Sequence, residues 1–182
     1  RPSQERDPMA LKAPPEAQAR LLELQALDTK LAQLDHRAKS LPELASLAEL
    51  SSQAEALRLT LLEQEGLAEN VQLELGRIES DVALVESRIA RDSERLQGSS
   101  SVKDVAALEQ ELGALRKRLN DLEEIELTVM ERLEEQQTAV ASTREELAGI
   151  RAQIGEVESS RDAALTAIGT ERSTAADDRR VL

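Results

Sequence analysis

Leucine, valine and isoleucine recur along much of this chain at alternating steps of three and four residues, and this spacing constrains the fold more than any other feature. A stripe with that spacing covers one face of an α-helix and is typical of coiled coils. The first series comprises Leu24, Leu27, Leu31, Leu34, Ala38 and Leu41. The second comprises Leu47, Leu50, Ala54, Leu57, Leu61, Gln64, Ala68, Val71, Leu75, Ile78, Val82, Val85, Ile89, Asp92 and Leu96. The third comprises Val105, Leu108, Leu112, Leu115, Leu119, Leu122, Glu126, Val129, Leu133, Gln136, Val140, Thr143, Leu147, Ile150, Ile154 and Val157.

The only concentrated Gly/Ser run, within LQGSSSVKD, separates the second series from the third. Gly98 is predicted to end one helix, and Ser101 is predicted to begin the next by capping it near Asp104. If the chain folds back near residue 100, the two series face each other in antiparallel register, and Gln64 then faces Gln136. Because a slipped register would place glutamine against leucine, this polar layer supports the pairing.

The predicted fold is all-α, a long antiparallel two-helix coiled-coil hairpin with a kink at Pro42. At the kink, Ser40 is predicted to cap the backbone NH of Glu43 while the Glu43 carboxylate reaches back. Met9 is a candidate native start, which would make the residues before it vector-derived. The predicted segments are an irregular leader at 1–16, a first arm at 17–97 with its break at 40–43, a tip at 98–103 and a second arm at 104–182. The alternative is a parallel dimer of continuous helices, a structural tether in which the Gly/Ser run is only a hinge.

The composition argues against most chemistry. The chain has no Phe, Tyr, Trp or Cys and a net charge of -13, which disfavours nucleic-acid binding by this segment. It lacks a membrane-spanning apolar run and a signal peptide, so we expect a cytoplasmic protein that does not enter membranes.

His36, the only histidine, cannot form the usual zinc sites without cysteine and is expected to be an exposed helix residue. We predict no enzyme activity and no catalytic, cofactor-binding or metal residues in this chain.

Basic residues gather on both sides of the predicted tip, at Arg88, Arg91, Arg95, Arg116, Lys117 and Arg118. They could form salt bridges to neighbours such as Glu111, or they could receive an acidic protein partner. The candidate partner-binding residues at the tip are Ser99, Ser100, Ser101, Lys103, Arg116 and Lys117. Leu59, Leu62 and Leu84 lie off the seam and could serve a second interface, so a homodimer is compatible with the pattern.

Several segments resemble the bacterial coiled-coil proteins that carry a C4-type zinc ribbon. The resemblance rests on LLELQALDTKLAQLDHR at 21–37, SLPE at 40–43, SSSVKDVAALEQEL at 99–112, DLEEIELTVMERLEE at 121–135 and RDAALTAI at 161–168. It implies a long antiparallel hairpin followed by a carboxy-terminal ribbon with two Cys-x-x-Cys knuckles. Because this chain has no cysteine, zinc is expected only in a ribbon that is absent from it.

The leading functional hypothesis is a non-enzymatic protein-interaction scaffold or regulator built on a rigid helical hairpin. A nucleic-acid-binding regulator is the remaining alternative, and the resemblance implies that it would act through the missing ribbon. The identity of a protein partner does not follow from the sequence.

Overall fold

The structure, a computed structural model, describes residues 13–182 and contains three helices in that range. The helices are α1 (Pro15–Lys39), α2 (Pro42–Gly98) and α3 (Val102–Val181). Of these described residues 95% are helical, and none lies in a strand. Residues 1–12 of the predicted leader lie outside the described range, and α1 begins two residues before the predicted first arm.

The chain forms two compact units, each made of antiparallel helical segments. In the unit that spans residues 52–151, called the tip unit here, α2 pairs with the first part of α3. Arg88 lies 3.1 Å from Glu111 near the tip, and Glu65 lies 2.6 Å from Arg144 farther along. Lower residue numbers on α2 therefore pair with higher residue numbers on α3, as they must when two helices run antiparallel. This confirms the predicted hairpin. The parallel dimer of continuous helices is wrong, because α3 of the same chain covers the seam of α2.

The heptad positions form the seam as predicted. Every position in the three series is buried or half-buried, and none is exposed. In the tip unit one cluster contains Val71, Leu75 and Ile78 of α2 with Val129 and Leu133 of α3. Because the apolar surface is a narrow stripe on each helix, stability accumulates along the length of the pair rather than in one central core.

The second unit, called the base unit here, contains residues up to 51 and from 152 onwards. Its cluster joins Leu34 and Leu41 to Ile168, with Ala38 and Ala164 packed against it. The buried stripe of α3 thus continues beyond Val157, and Ala175 is only 1% exposed. Alanine and arginine at the intervening positions hide this continuation in the sequence.

The break between α1 and α2 differs from the predicted capping box. Ser40 donates a hydrogen bond from Oγ to the His36 carbonyl oxygen at 2.8 Å, so it closes α1 instead of starting α2. The Glu43 carboxylate accepts a hydrogen bond from Ser160 at 3.1 Å. The capping box is wrong because buried Leu41 directly precedes α2, and its contacts with Leu34 and Ile168 fix the chain path there.

Polar residues interrupt the apolar seam of the tip unit. Gln64 and Gln136 are both half-buried, but the buried Oε1 of Gln64 accepts no hydrogen bond. Asp92 is 3% exposed, and its Oδ2 also lacks a partner. The predicted contact between the two glutamines stays a prediction, because Glu65, next to Gln64, pairs with Arg144, eight residues beyond Gln136. The unsatisfied acceptors cost stability.

Candidate functional site

The loop that joins α2 and α3 consists of Ser99, Ser100 and Ser101. Ser101 accepts a hydrogen bond on Oγ from the backbone NH of Asp104 at 3.4 Å, and its carbonyl accepts one from Val105 at 3.0 Å. This confirms the predicted helix start. Because the Ser101 hydroxyl already caps α3, Ser100 and the half-buried Ser99 are the hydroxyls of the loop that remain for a partner.

A shallow groove of about 520 Å³ lies beside this loop. Its walls combine a cation, carboxylates and small apolar side chains. The lining residues are Arg95, Gly98, Ser99, Asp104, Ala107, Leu108 and Glu111. The groove is open and lacks the enclosed, mostly apolar walls of a typical small-molecule site, so it suits contact with a polypeptide surface better.

The basic residues near the loop divide into paired and unpaired groups. Arg88 forms the predicted ion pair with Glu111 at 3.1 Å, and Arg95 lies 3.8 Å from Asp92. Among the residues that the structure describes, five nearby cations have no ion-pair partner. They are Arg91, Lys103, Arg116, Lys117 and Arg118. Charges that are not neutralised within the chain remain available to attract an acidic surface.

The six predicted tip residues fall into two groups. The three serines and Lys103 lie at the loop, whereas Arg116 and Lys117 lie farther along α3, about 20 Å from Lys103 at 1.5 Å per residue. Lys103 and Lys117 nevertheless share one side of α3, because fourteen residues make almost four full turns. A partner that touched both groups would therefore lie along α3 and not only at the loop.

The described residues offer little other chemistry. Residues 13–182 contain no group of three or more His, Cys, Asp or Glu side chains that could hold a metal ion. His36 is exposed on α1, as predicted. Arg58 holds the pKa of Glu55 below its ordinary value through a side-chain hydrogen bond, but both residues are on the open surface. Over the same range, every helix is too polar or too charged to cross a bilayer.

Among the exposed apolar residues that sequence reasoning missed, Leu73 is the one that lies beside leucines it had named. Leu73 is 58% exposed on the side of α2 away from α3, on the same side as Leu62 and Leu84. Its spacing of eleven residues from each of them is present in the sequence. The spacing is hard to notice in the sequence because Val71 and Leu75, on either side of Leu73, are the residues that fit the heptad pattern of the seam.

The fold and its tip define a coiled-coil hairpin protein. The chain belongs to the family of CT398-like coiled coil hairpin domains, whose model matches residues 24–182. This match confirms the hairpin part of the sequence resemblance, and the zinc ribbon stays a prediction.

Known relatives match most of the chain. An uncharacterised protein of Mycobacterium tuberculosis, found in strains CDC 1551 and H37Rv, is 31% identical over 173 residues, which cover 94% of this chain and 71% of the relative. A solved structure from Mycobacterium smegmatis is 30% identical with a TM-score of 0.83, covering 94% of this chain and 71% of that one. The structure of CT398 from Chlamydia trachomatis has a TM-score of 0.62 at 19% identity, covering 88% and 67%, and shows the likeness of fold alone. These relatives indicate no enzyme family.

Proposed function

We propose that this chain is a non-enzymatic protein-interaction scaffold that binds an acidic protein surface along the tip end of α3. The observation that carries the proposal is the group of unpaired cations on exposed helix positions. Lys103, Arg116 and Lys117 have no ion-pair partner among the described residues. Elsewhere in the tip unit, most of the arginines are bound to carboxylates of the same chain, as Arg132 is to Glu74 at 3.0 Å.

The charge of the chain argues for a protein partner and against nucleic acid. A net charge of -13 repels nucleic acid over long distances, and the absence of aromatic rings removes any platform for stacked bases. A local basic patch on an acidic chain instead orients a dipolar or acidic protein during encounter. The scaffold role also accords with the hairpin fold, in which the exposed helix sides and the loop are the main surfaces that a partner can reach.

The test is a charge reversal of the patch. The variant Lys103→Glu, Arg116→Glu, Lys117→Glu is compared with Lys30→Glu, Lys39→Glu, Arg151→Glu, a control that alters three exposed cations away from the tip. Each triple variant changes three charges by two units, so both lower the net charge from -13 to -19. Partners are captured from lysate at physiological salt with the wild type, identified, and measured again with both purified variants.

The tip variant should lose the partner by at least about tenfold in affinity, and the control should retain it. Circular dichroism should show equal helicity for the three proteins, because exposed charges contribute little to folding. Equal binding by the two triple variants would overturn the tip assignment. Micromolar binding of RNA or DNA at physiological salt would contradict the proposed partner class.

A further inference from the structure

The side of α2 that faces away from α3 is unusually apolar for a solvent-facing surface. Leu62, Leu73 and Leu84 are 58% to 64% exposed there, and Leu59 is 52% exposed. Leu73 lies two residues from buried Val71 and is therefore turned about 200° from it around the helix. Such outward positions of a helix pair are normally charged. This surface, from Leu59 to Ser87, is called the outer face of α2 below.

The outer face has a symmetric pattern centred on Leu73. Leu62 lies eleven residues before it and Leu84 eleven residues after it. Eleven residues are about three turns, so these three leucines lie within about 20° of one line along the helix. Gly66 lies seven residues before Leu73 and Ser80 seven residues after it. Both residues are small, so the helix surface between the leucines does not protrude. A Cβ atom built on Gly66 meets no atom within 4 Å, so that position is open to close approach.

We propose that a second copy of this chain docks on the outer face of α2, antiparallel, with the twofold axis passing beside Leu73. In that arrangement Leu73 contacts Leu73 of the other copy, and Leu62 contacts Leu84. A twofold interface uses the same surface on both subunits, so it requires a surface that matches itself when reversed. The pattern centred on Leu73 meets this requirement.

Charge complementarity supports the antiparallel arrangement. Glu69 lies four residues before Leu73 and Arg77 four residues after it, each turned about 40° from the line of leucines. Both are exposed, and among the described residues neither has an ion-pair partner. Reversal about Leu73 brings Glu69 of one copy to Arg77 of the other, twice per dimer. Parallel copies would instead place Glu69 next to Glu69 and Arg77 next to Arg77.

Like charges also meet in this arrangement, but only toward its margins. They are Arg58 with Arg88 and Glu65 with Asp81. Three of these four residues are already neutralised in their own hairpin, by the pairs Arg58–Glu55, Arg88–Glu111 and Glu65–Arg144. Their repulsion is therefore weakened, whereas the central Glu69 and Arg77 keep their full attraction.

The size of the surface sets the expected strength of the dimer. The outer face from Leu59 to Ser87 is about 42 Å long, and a helix is about 10–12 Å wide, which gives roughly 400–500 Å² on each copy. The total, about 800–1,000 Å², lies below the roughly 1,200–2,000 Å² of stable interfaces and in the range of weak, transient ones. We therefore expect a reversible dimer whose population rises with protein concentration.

Single cysteines test the arrangement directly, because the chain has no cysteine of its own. Leu73→Cys should form a disulfide-linked dimer under mild oxidation, since the two residues meet at the axis. Leu127→Cys is the matched control, because Leu127 is 61% exposed on α3. Leu62→Cys and Leu84→Cys should each cross-link slowly alone and rapidly when mixed. If each of these two instead cross-links rapidly alone, the copies are parallel and the proposed arrangement is wrong.

Sedimentation equilibrium measures the affinity without cross-linking. Leu73→Arg should raise the dissociation constant at least tenfold while Leu127→Arg leaves it unchanged. Glu69→Arg and Arg77→Glu should each weaken the dimer, and the double variant should restore it because the exchanged charges meet again. A wild-type chain that stays monomeric at several hundred micromolar, with Leu73→Cys cross-linking no faster than Leu127→Cys, would overturn the proposal. A dimer that is unaffected by Leu73→Arg would place self-association on another surface.

Discussion

The tip unit and the base unit use the same kinds of surface ion pair but different seams. Each has arginine–carboxylate pairs between antiparallel segments, such as Glu74–Arg132 at 3.0 Å in the tip unit and Asp35–Arg172 at 2.8 Å in the base unit. The buried cluster of the tip unit has five branched side chains with Val82 packed against it, whereas that of the base unit has three, with alanines packed against it. Because exposed ion pairs contribute little, the seams should decide how the two units differ in stability.

The largest expected effect comes from truncating one leucine in each seam. Leu75→Ala in the tip unit should lower the free energy of unfolding by about 3 kcal/mol, and Leu34→Ala in the base unit by about 2 kcal/mol. Leu75 is 6% exposed and Leu34 is 4% exposed, so burial is matched. The difference is expected because Leu75 belongs to a cluster of five buried branched residues, while the cluster of Leu34 has three.

Urea denaturation measures both free energies, and hydrogen exchange of peptides from each unit locates the loss. Protection should fall most in the unit that carries the substitution. An equal or larger cost for Leu34→Ala would show that the alanine-containing seam is the tighter one, and the comparison would be reversed.

The second effect is a gain in stability at the buried carboxylate of the tip unit. Asp92 is 3% exposed and has one oxygen without a partner, and Arg95 approaches the other only to 3.8 Å. Replacing a poorly paired buried charge by a leucine should stabilise the protein by about 1–2 kcal/mol. The corresponding rise in melting temperature is about 3–6 °C for a chain of this size.

Asp28→Leu in the base unit is the matched control. Asp28 is half-exposed and pairs with Arg179 at 2.6 Å, so its replacement removes an ion pair and buries nothing. No rise in melting temperature is expected there. If Asp92→Leu instead destabilises the protein, the carboxylate has a favourable interaction with Arg95 that outweighs its burial.

The seam was predictable up to Val157 because a heptad pattern is recognised from the spacing of residues along the sequence alone. Beyond Val157 it was not predictable, because Ala164 and Ala175 are apolar but small and do not stand out in an alanine-rich segment. The capping box at Ser40 failed for a tertiary reason, since Leu41 is buried against Ile168, 127 residues away in sequence. The preference of glycine and serine for turns correctly predicted that the tip serines lie in the loop. Whether Arg116 and Lys117 form ion pairs could be known only from the contacts of the folded chain.

The smallest effect concerns a surface ion pair, the feature that both units share. Arg58 lies 2.8 Å from Glu55 on the same helix and lowers the pKa of Glu55 below its ordinary value, chiefly through their hydrogen bond. A depressed folded-state pKa stabilises the fold above the unfolded pKa, and this contribution is lost as pH falls through the folded value. Arg58→Ala should therefore raise the pKa of Glu55, seen in a carboxyl-carbon NMR titration, while the melting temperature at pH 7 changes by less than about 2 °C because the pair is fully exposed. A larger loss of stability would mean that exposed ion pairs contribute to the stability of the fold, and that the seams alone do not decide how the two units differ.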